Sequence, residues 1–160
     1  MTEEEALRNL KGDDRVLAAT AEATLWSSWC RSGDAETDRL LRAGVEAMQR
    51  RELQEAEETF TRVIQMAPGF AEGWNKRATV RYMANDFTGA VADCRETVAR
   101  NPHHFAAFSG QGLCHLSLGE YDDAAVCCRR ALEINPHMEA VRQNLSLAIA
   151  NSFGGTGYLH

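Results

Sequence analysis

Pro68, Pro102 and Pro136 stand 34 residues apart, and they are the three prolines of the chain. A proline inside a helix removes a hydrogen bond and clashes with the preceding turn. Prolines confined to a fixed period therefore leave every interval between them free to be helical. Aligned at that period, other columns agree. Leu40, Trp74 and Phe108 are large and apolar, while Gly44, Ala78 and Gly112 are small. Ala56, Ala90 and Ala124 are identical, and Leu53, Phe87 and Tyr121 are large again, as are Ile64, Val98 and Leu132. Self-similarity at a period of this length marks a stacked repeat architecture.

Each period reads as two helices. The first predicts helices over 37–50 and 53–66, the second over 71–84 and 87–100, the third over 105–118 and 121–134. Asn85-Asp86 and Gly119 supply turns between paired helices, and Pro just past each second helix is a stop signal. The small-residue columns fall where paired helices cross, because a larger side chain there would overpack the contact.

At these residues the chain resembles the tetratricopeptide repeat family. Trp74, Ala78, Asn85-Asp86-Phe87, Ala90 and Pro102 carry the pattern in the middle unit. Phe108, Gly112, Gly119-Glu120-Tyr121, Ala124, Ala131 and Pro136 carry it in the third, and Gly44, Ala56, Phe60 and Pro68 in the first. The resemblance implies an all-α, right-handed superhelical solenoid of three helix-turn-helix repeats, over 37–70, 71–104 and 105–138 by period. Residues 1–36 form an N-terminal helical flank, 137–151 a capping helix and 152–160 a flexible tail. The capping helix is read from Val141, Leu145, Ala148 and Ile149 at helical spacing. The flank holds one helix over 13–31, with Leu25 and Trp29 four apart on one face. It packs on the first repeat, sits in the groove, or mediates dimerisation.

The family binds peptides or helices on the concave surface lined by the first helix of each pair. The positions this carries over are Leu41, Val45 and Met48 in the first unit, Asn75, Lys76, Thr79, Tyr82 and Met83 in the second, and Ser109, Leu113 and Leu116 in the third. Asp38, Glu72 and Ala106 also fall on that surface. The implied function is a non-enzymatic adaptor or scaffold holding a protein or peptide partner in the groove. A self-assembling homo-oligomer, built through the N-terminal helix or the repeat ends, is the competing reading. Some family members clamp a chaperone's C-terminal carboxylates with Lys, Asn and Arg. Here Leu41, Val45, Ala106 and Gly110 occupy clamp positions, so no chaperone carboxylate clamp is expected.

The chain breaks the family pattern at Arg77 and Arg81, which stand in columns that are usually apolar. Buried Arg is costly unless paired, and Asp93 and Glu96 are the candidate partners. The two arginines form either a structural ion-pair network or an anion-binding pocket.

Composition narrows the rest. A net charge of −6 argues against nucleic-acid binding, which needs clustered cations. Fifteen of the 17 cationic residues are Arg, with Lys11 and Lys76 the exceptions; this suits pairing with carboxylates or reflects an Arg-rich genome. Five cysteines, an odd number, show no zinc-type spacing, so an intracellular, reducing compartment is expected, with no metal and no cofactor. His103-His104 reads as loop, with His137 repeating His103. Adjacent Cys114 and His115 diverge by about 100° on a helix, so no catalytic residues are assigned. No apolar run reaches the roughly 20 residues of a membrane span.

Overall fold

A helix begins wherever the sequence can satisfy its first free N–H groups, and this chain does so repeatedly. Thr2 and Glu5 form a reciprocal capping box that opens α1 (Glu3–Leu10). Asp14 accepts from Val16 and Leu17, both at 3.0 Å, and opens α2 (Arg15–Trp29). Asp34 accepts from the Thr37 N–H at 2.9 Å and opens α3 (Ala35–Gln49). There follow α4 (Leu53–Met66), α5 (Ala71–Met83), α6 (Phe87–Arg100), α7 (Phe105–Ser117), α8 (Tyr121–Ile134) and α9 (Glu139–Thr156). The computed structural model describes the backbone of residues 1–156 and the side chains of residues 1–152. Within that range the structure is all helix and turn.

The six helices α3–α8 lie within two residues of the sequence expectation at each end. Each pair is closed by a residue in the left-handed region: Arg51 (φ 62°), Asn85 (φ 62°) and Gly119 (φ 74°). These three also stand 34 apart. The turn geometry repeats even where the residue type does not, and Arg51 bears a backbone conformation that glycine would hold without steric cost.

The helix crossings explain the small-residue column. A Cβ added at Gly44 would overlap the ring of Phe60, which is fully buried. At the equivalent crossing of the third repeat, Gly112 meets Cys128, where a Cβ would lie 2.8 Å from Sγ. Size is traded across the contact, with Phe60 in the first unit replaced by Cys94 and Cys128 in the others. Phe60 anchors a cluster with Leu40, Leu41, Ala47, Ala56, Val63 and Val80. Each large side chain removed from water there stabilises the fold by about 1.5–3 kcal/mol.

Both flanks depart from the expectation. The N-terminal flank holds two helices, not one. They form a hairpin whose buried stripe, Ala6, Leu10, Ala21, Leu25 and Trp29, packs with Phe105 and Ile134. That places the hairpin against the third repeat, although α2 leads directly into the first. Short-range pattern could not show this, because the two faces lie about a hundred residues apart in the chain. The capping helix α9 runs past 151 to Thr156, taking in residues expected to form the tail; 157–160 lie outside the described residues. Val141 and Ala148 are buried against α8 through Cys128, Ala131, Ala124 and Ala125, as a repeat-capping helix requires. No helix among the described residues is long and apolar enough to cross a membrane.

Candidate functional site

The concave face is lined by α3, α5 and α7, and its two halves are built differently. At the N-terminal ends of α5 and α7 the floor is polar and buried. Glu72 and His104 are both almost fully inaccessible. The Glu72 carboxylate accepts from His104 Nε2 at 2.8 Å and from Asn75 Nδ2 at 2.8 Å, and Lys76 Nζ lies 3.5 Å away. The Ala107 N–H donates to His104 Nδ1 at 3.1 Å, so this nitrogen is the acceptor and Nε2 carries the proton toward Glu72. One imidazole thus caps α7 and ties it to α5. Burial pushes the Glu72 carboxyl up, but the hydrogen bond from His104, with Lys76 and Asn75, outweighs this and holds it below its ordinary value.

The α2 helix lies over that floor. Trp29 stacks on His104 with ring centroids 4.8 Å apart and an interplanar angle of 24°, and Trp26 meets His104 edge-on at 5.4 Å. Lys76 Nζ stands 5.6 Å from the Trp26 ring centre, within reach of a cation–π attraction. Phe105 touches both tryptophans. Glu3 of α1 accepts from Trp29 Nε1 at 3.2 Å, which satisfies the indole inside the hairpin. The α2 helix thus packs on the N-terminal ends of α5 and α7, with α1 reaching Ile134 at the end of α8.

The rest of the face is open. A first cleft of about 460 Å³ lies between the end of α2 and α3, lined by Cys30, Arg31, Asp38, Leu41, Arg42, Val45, Glu46 and Lys76. A second, of about 180 Å³, lies between α5 and α7, lined by Asn75, Ala78, Thr79, Tyr82, Cys94, Ala106, Gly110, Leu113 and Cys114. Burial raises the pKa of the Cys114 thiol to about 11, so it lines the wall as a small apolar group.

Of the sequence-derived positions, Leu41, Val45 and Lys76 line the first cleft, and Asn75, Thr79, Tyr82 and Leu113 the second. Met48 packs on the first-repeat cluster and Leu116 against Ala124, Ala125 and Ala148. Met83 and Ser109 are half-buried and line neither cleft. Asn75 and Lys76 are engaged with Glu72. His104, read from the sequence as a loop residue, is central. The signal was its column, Phe70, His104 and Met138, in which it alone is polar.

Arg77 and Arg81 form the ion-pair network, the first of their two readings. Arg77 makes a bidentate pair with Asp93 at 2.9 and 2.8 Å and donates to Thr61 at 3.3 Å. Arg81 donates to Glu57 at 2.9 Å and to Asp93 at 3.0 Å. Burial opposes the Arg81 charge, but Glu57 and Asp93 hold its pKa above the ordinary value. Both guanidinium charges are paired with carboxylates of α4 and α6, so the anion-pocket reading gives way to an ion-pair network. Glu96, the other partner expected, pairs with Arg100 instead, at 2.5 Å.

His115, Glu120 and Asp123 present ligand atoms within 4.8 Å of one another. The His115 Nδ1–Glu120 contact, 3.3 Å, braces the turn between α7 and α8.

Comparison with known proteins gives matches along most of the chain. Models described as tetratricopeptide repeat match residues 41–99 and 105–138. A TPR repeat-containing protein of Rhizobium etli is 23% identical over 141 residues, 88% of this chain and 68% of that protein. DnaJ homolog subfamily C member 7 of Homo sapiens is 31% identical over 130 residues, 81% of this chain but only 26% of its own length. The first TPR of Spaghetti (RPAP3), solved bound to the HSP90 peptide SRMEEVD, superposes with a TM-score of 0.71 at 22% identity, covering 73% of this chain and 94% of that one.

Proposed function

The chain belongs to the tetratricopeptide repeat family, and from that premise we propose that it is a non-catalytic adaptor. It takes a peptide or helical segment of a partner protein along the uncovered part of its concave face. Its similarity to peptide-binding repeat domains supports the coarse reading. The observation that carries the finer one is the pair of clefts on this face, with Leu41 and Val45 in one and Thr79, Tyr82 and Leu113 in the other. Apolar walls with a few polar groups suit an anchoring side chain from a partner.

The partner is not a chaperone tail of the kind the Spaghetti repeat holds. Leu41, Val45, Ala106 and Gly110 supply no cation. Lys76 is engaged by Glu72 and Trp26, and Asn75 by Glu72. A peptide ending Glu-Glu-Val-Asp should show no saturable binding by fluorescence anisotropy; a low-micromolar affinity overturns this. Self-assembly through α2 is the weaker reading, since its apolar stripe is spent within the chain. Five free thiols fit the proposal that the protein works in a reducing, intracellular setting.

The test of the adaptor reading is to fill the clefts while the fold is kept, with Val45 lying at the edge of the first-repeat cluster. Gly110→Leu projects into the second cleft, where an added Cβ meets only Cys94 Sγ at 3.8 Å. Val45→Arg charges the first. Proteins captured from a lysate by the wild-type chain should be lost from both variants while circular dichroism is unchanged. Equal capture by all three sinks the groove assignment.

A further inference from the structure

Resting on the groove reading above, we infer that the α1–α2 hairpin is an occupant in cis, holding a seat built for an external amphipathic helix that carries two aromatic side chains three residues apart. Such a helix displaces it.

Polar groups are satisfied separately on each side of the seam. The floor is complete without the hairpin, because Glu72, Asn75, Lys76 and His104 satisfy one another within α5 and α7. The hairpin is likewise complete without the floor. Its helices are capped by Thr2, Glu5 and Asp14, and Glu3 takes the Trp29 indole and the Ser28 hydroxyl. Among the described residues, one hydrogen bond crosses the seam, from His137 Nε2 to the Gly12 carbonyl at 2.8 Å. The remaining contact is ring faces and aliphatic surface: Trp26 and Trp29 on His104 and Phe105, Lys76 over Trp26, and Leu10, Ala21 and Leu25 in one cluster with Ile134. Lifting the hairpin orphans no buried polar group, so beyond the exposed His137–Gly12 bond the cost of opening is the apolar, aromatic and cation–π contact. This is the anatomy of a docked partner with aromatic anchors.

The connection permits the exchange. Residues 30–34 join α2 to α3 through Gly33 at φ +88°, and the Ser32 hydroxyl and N–H are held by Asp38 on α3. The anchor of the tether therefore belongs to the first repeat and stays when the hairpin leaves. The first cleft opens beside the end of α2, at Cys30 and Arg31, and gives an incoming segment a place to land before the hairpin moves.

The probe is a labelled synthetic peptide of residues 1–31, added in trans to the full chain. Wild type should take it up weakly, because its own hairpin holds the seat. The full-length Trp26→Ala/Trp29→Ala variant should bind it at least tenfold more tightly. Native-state hydrogen exchange on the wild-type chain is the second measurement. The amides of α1 and α2 should exchange through an opening that leaves α5–α8 protected. A folded variant that ignores the peptide overturns the inference, and so does equal protection of the hairpin and α5–α8. If the variant does not fold, the exchange measurement decides alone. The cleft variants Gly110→Leu and Val45→Arg leave the tryptophan seat in place, so failure here and failure of the adaptor reading are separable.

Discussion

The covered and open halves of the concave face lie on the same helices and come to opposite chemistry. Under α2, the second position of the middle unit is Glu72, buried and hydrogen-bonded three residues deep into a polar floor. In the open half, about two to three turns further along the same helices, Thr79, Tyr82 and Leu113 face a cleft with no ion pair. The period fixes where a side chain points. What lies above it decides whether a charge there must be neutralised or an apolar group may stay wet. A repeat protein can thus vary its surface by covering part of it, with no change to the repeat.

Substitutions at paired positions sharpen this contrast. The largest effect should come from Glu72→Ala, which strands His104 Nε2 and Asn75 in a buried site and should cost about 3–5 kcal/mol in urea unfolding. Thr79→Ala, in the open half, should stay within about 0.5 kcal/mol. Comparable losses would erase the distinction. Acid should act on the covered half next. Because the folded-state pKa of Glu72 is lowered, its contribution is fully present above the ordinary carboxyl value of 4.5 and is lost as pH falls through the lower folded value. The urea midpoint should therefore drop below about pH 4.5, and Glu72→Gln should blunt that drop; an unchanged profile in the variant would remove Glu72 from the account. Lys76→Met takes away the cation over Trp26 and should cost about 1 kcal/mol, read as faster hydrogen exchange in α2 with α6–α8 unaffected. The smallest change has the opposite sign. Gly110→Ala meets no obstacle in the open cleft and should stabilise α7 by about 0.5–1 kcal/mol, seen as a small rise in Tm.

The repeat core was legible in the sequence because each of its rules is local. Proline stops, the Ala and small-residue columns and the turn residues all act within one period, and α4, α6 and α8 begin and end where they predict. The turn at Arg51 kept its left-handed backbone without a glycine to announce it, because two flanking helices dictate it. The groove was legible in outline but not in division. Leu41, Val45, Tyr82 and Leu113 reach the clefts as their columns require, whereas Leu116 is claimed by α8 and α9, and Asn75 and Lys76 line the clefts with their polar ends held by Glu72. Those assignments depend on neighbours from other elements. The hairpin was the least legible part. Its first helix is eight residues long, too short for periodicity to register, although Thr2 and Glu5 spell its cap. Its packing on Phe105 and Ile134 leaves no local trace at all.

That packing also sets an order of events during synthesis. Residues 3–29 leave the ribosome while Ile134 and Met138, part of the surface they cover, are still unmade. At about 5–20 residues per second, the delay is on the order of ten seconds. The repeats can condense one after another as they emerge, each on its predecessor. The hairpin, made first, docks last, and the nascent chain carries its Trp-bearing stripe uncovered until the third repeat is complete.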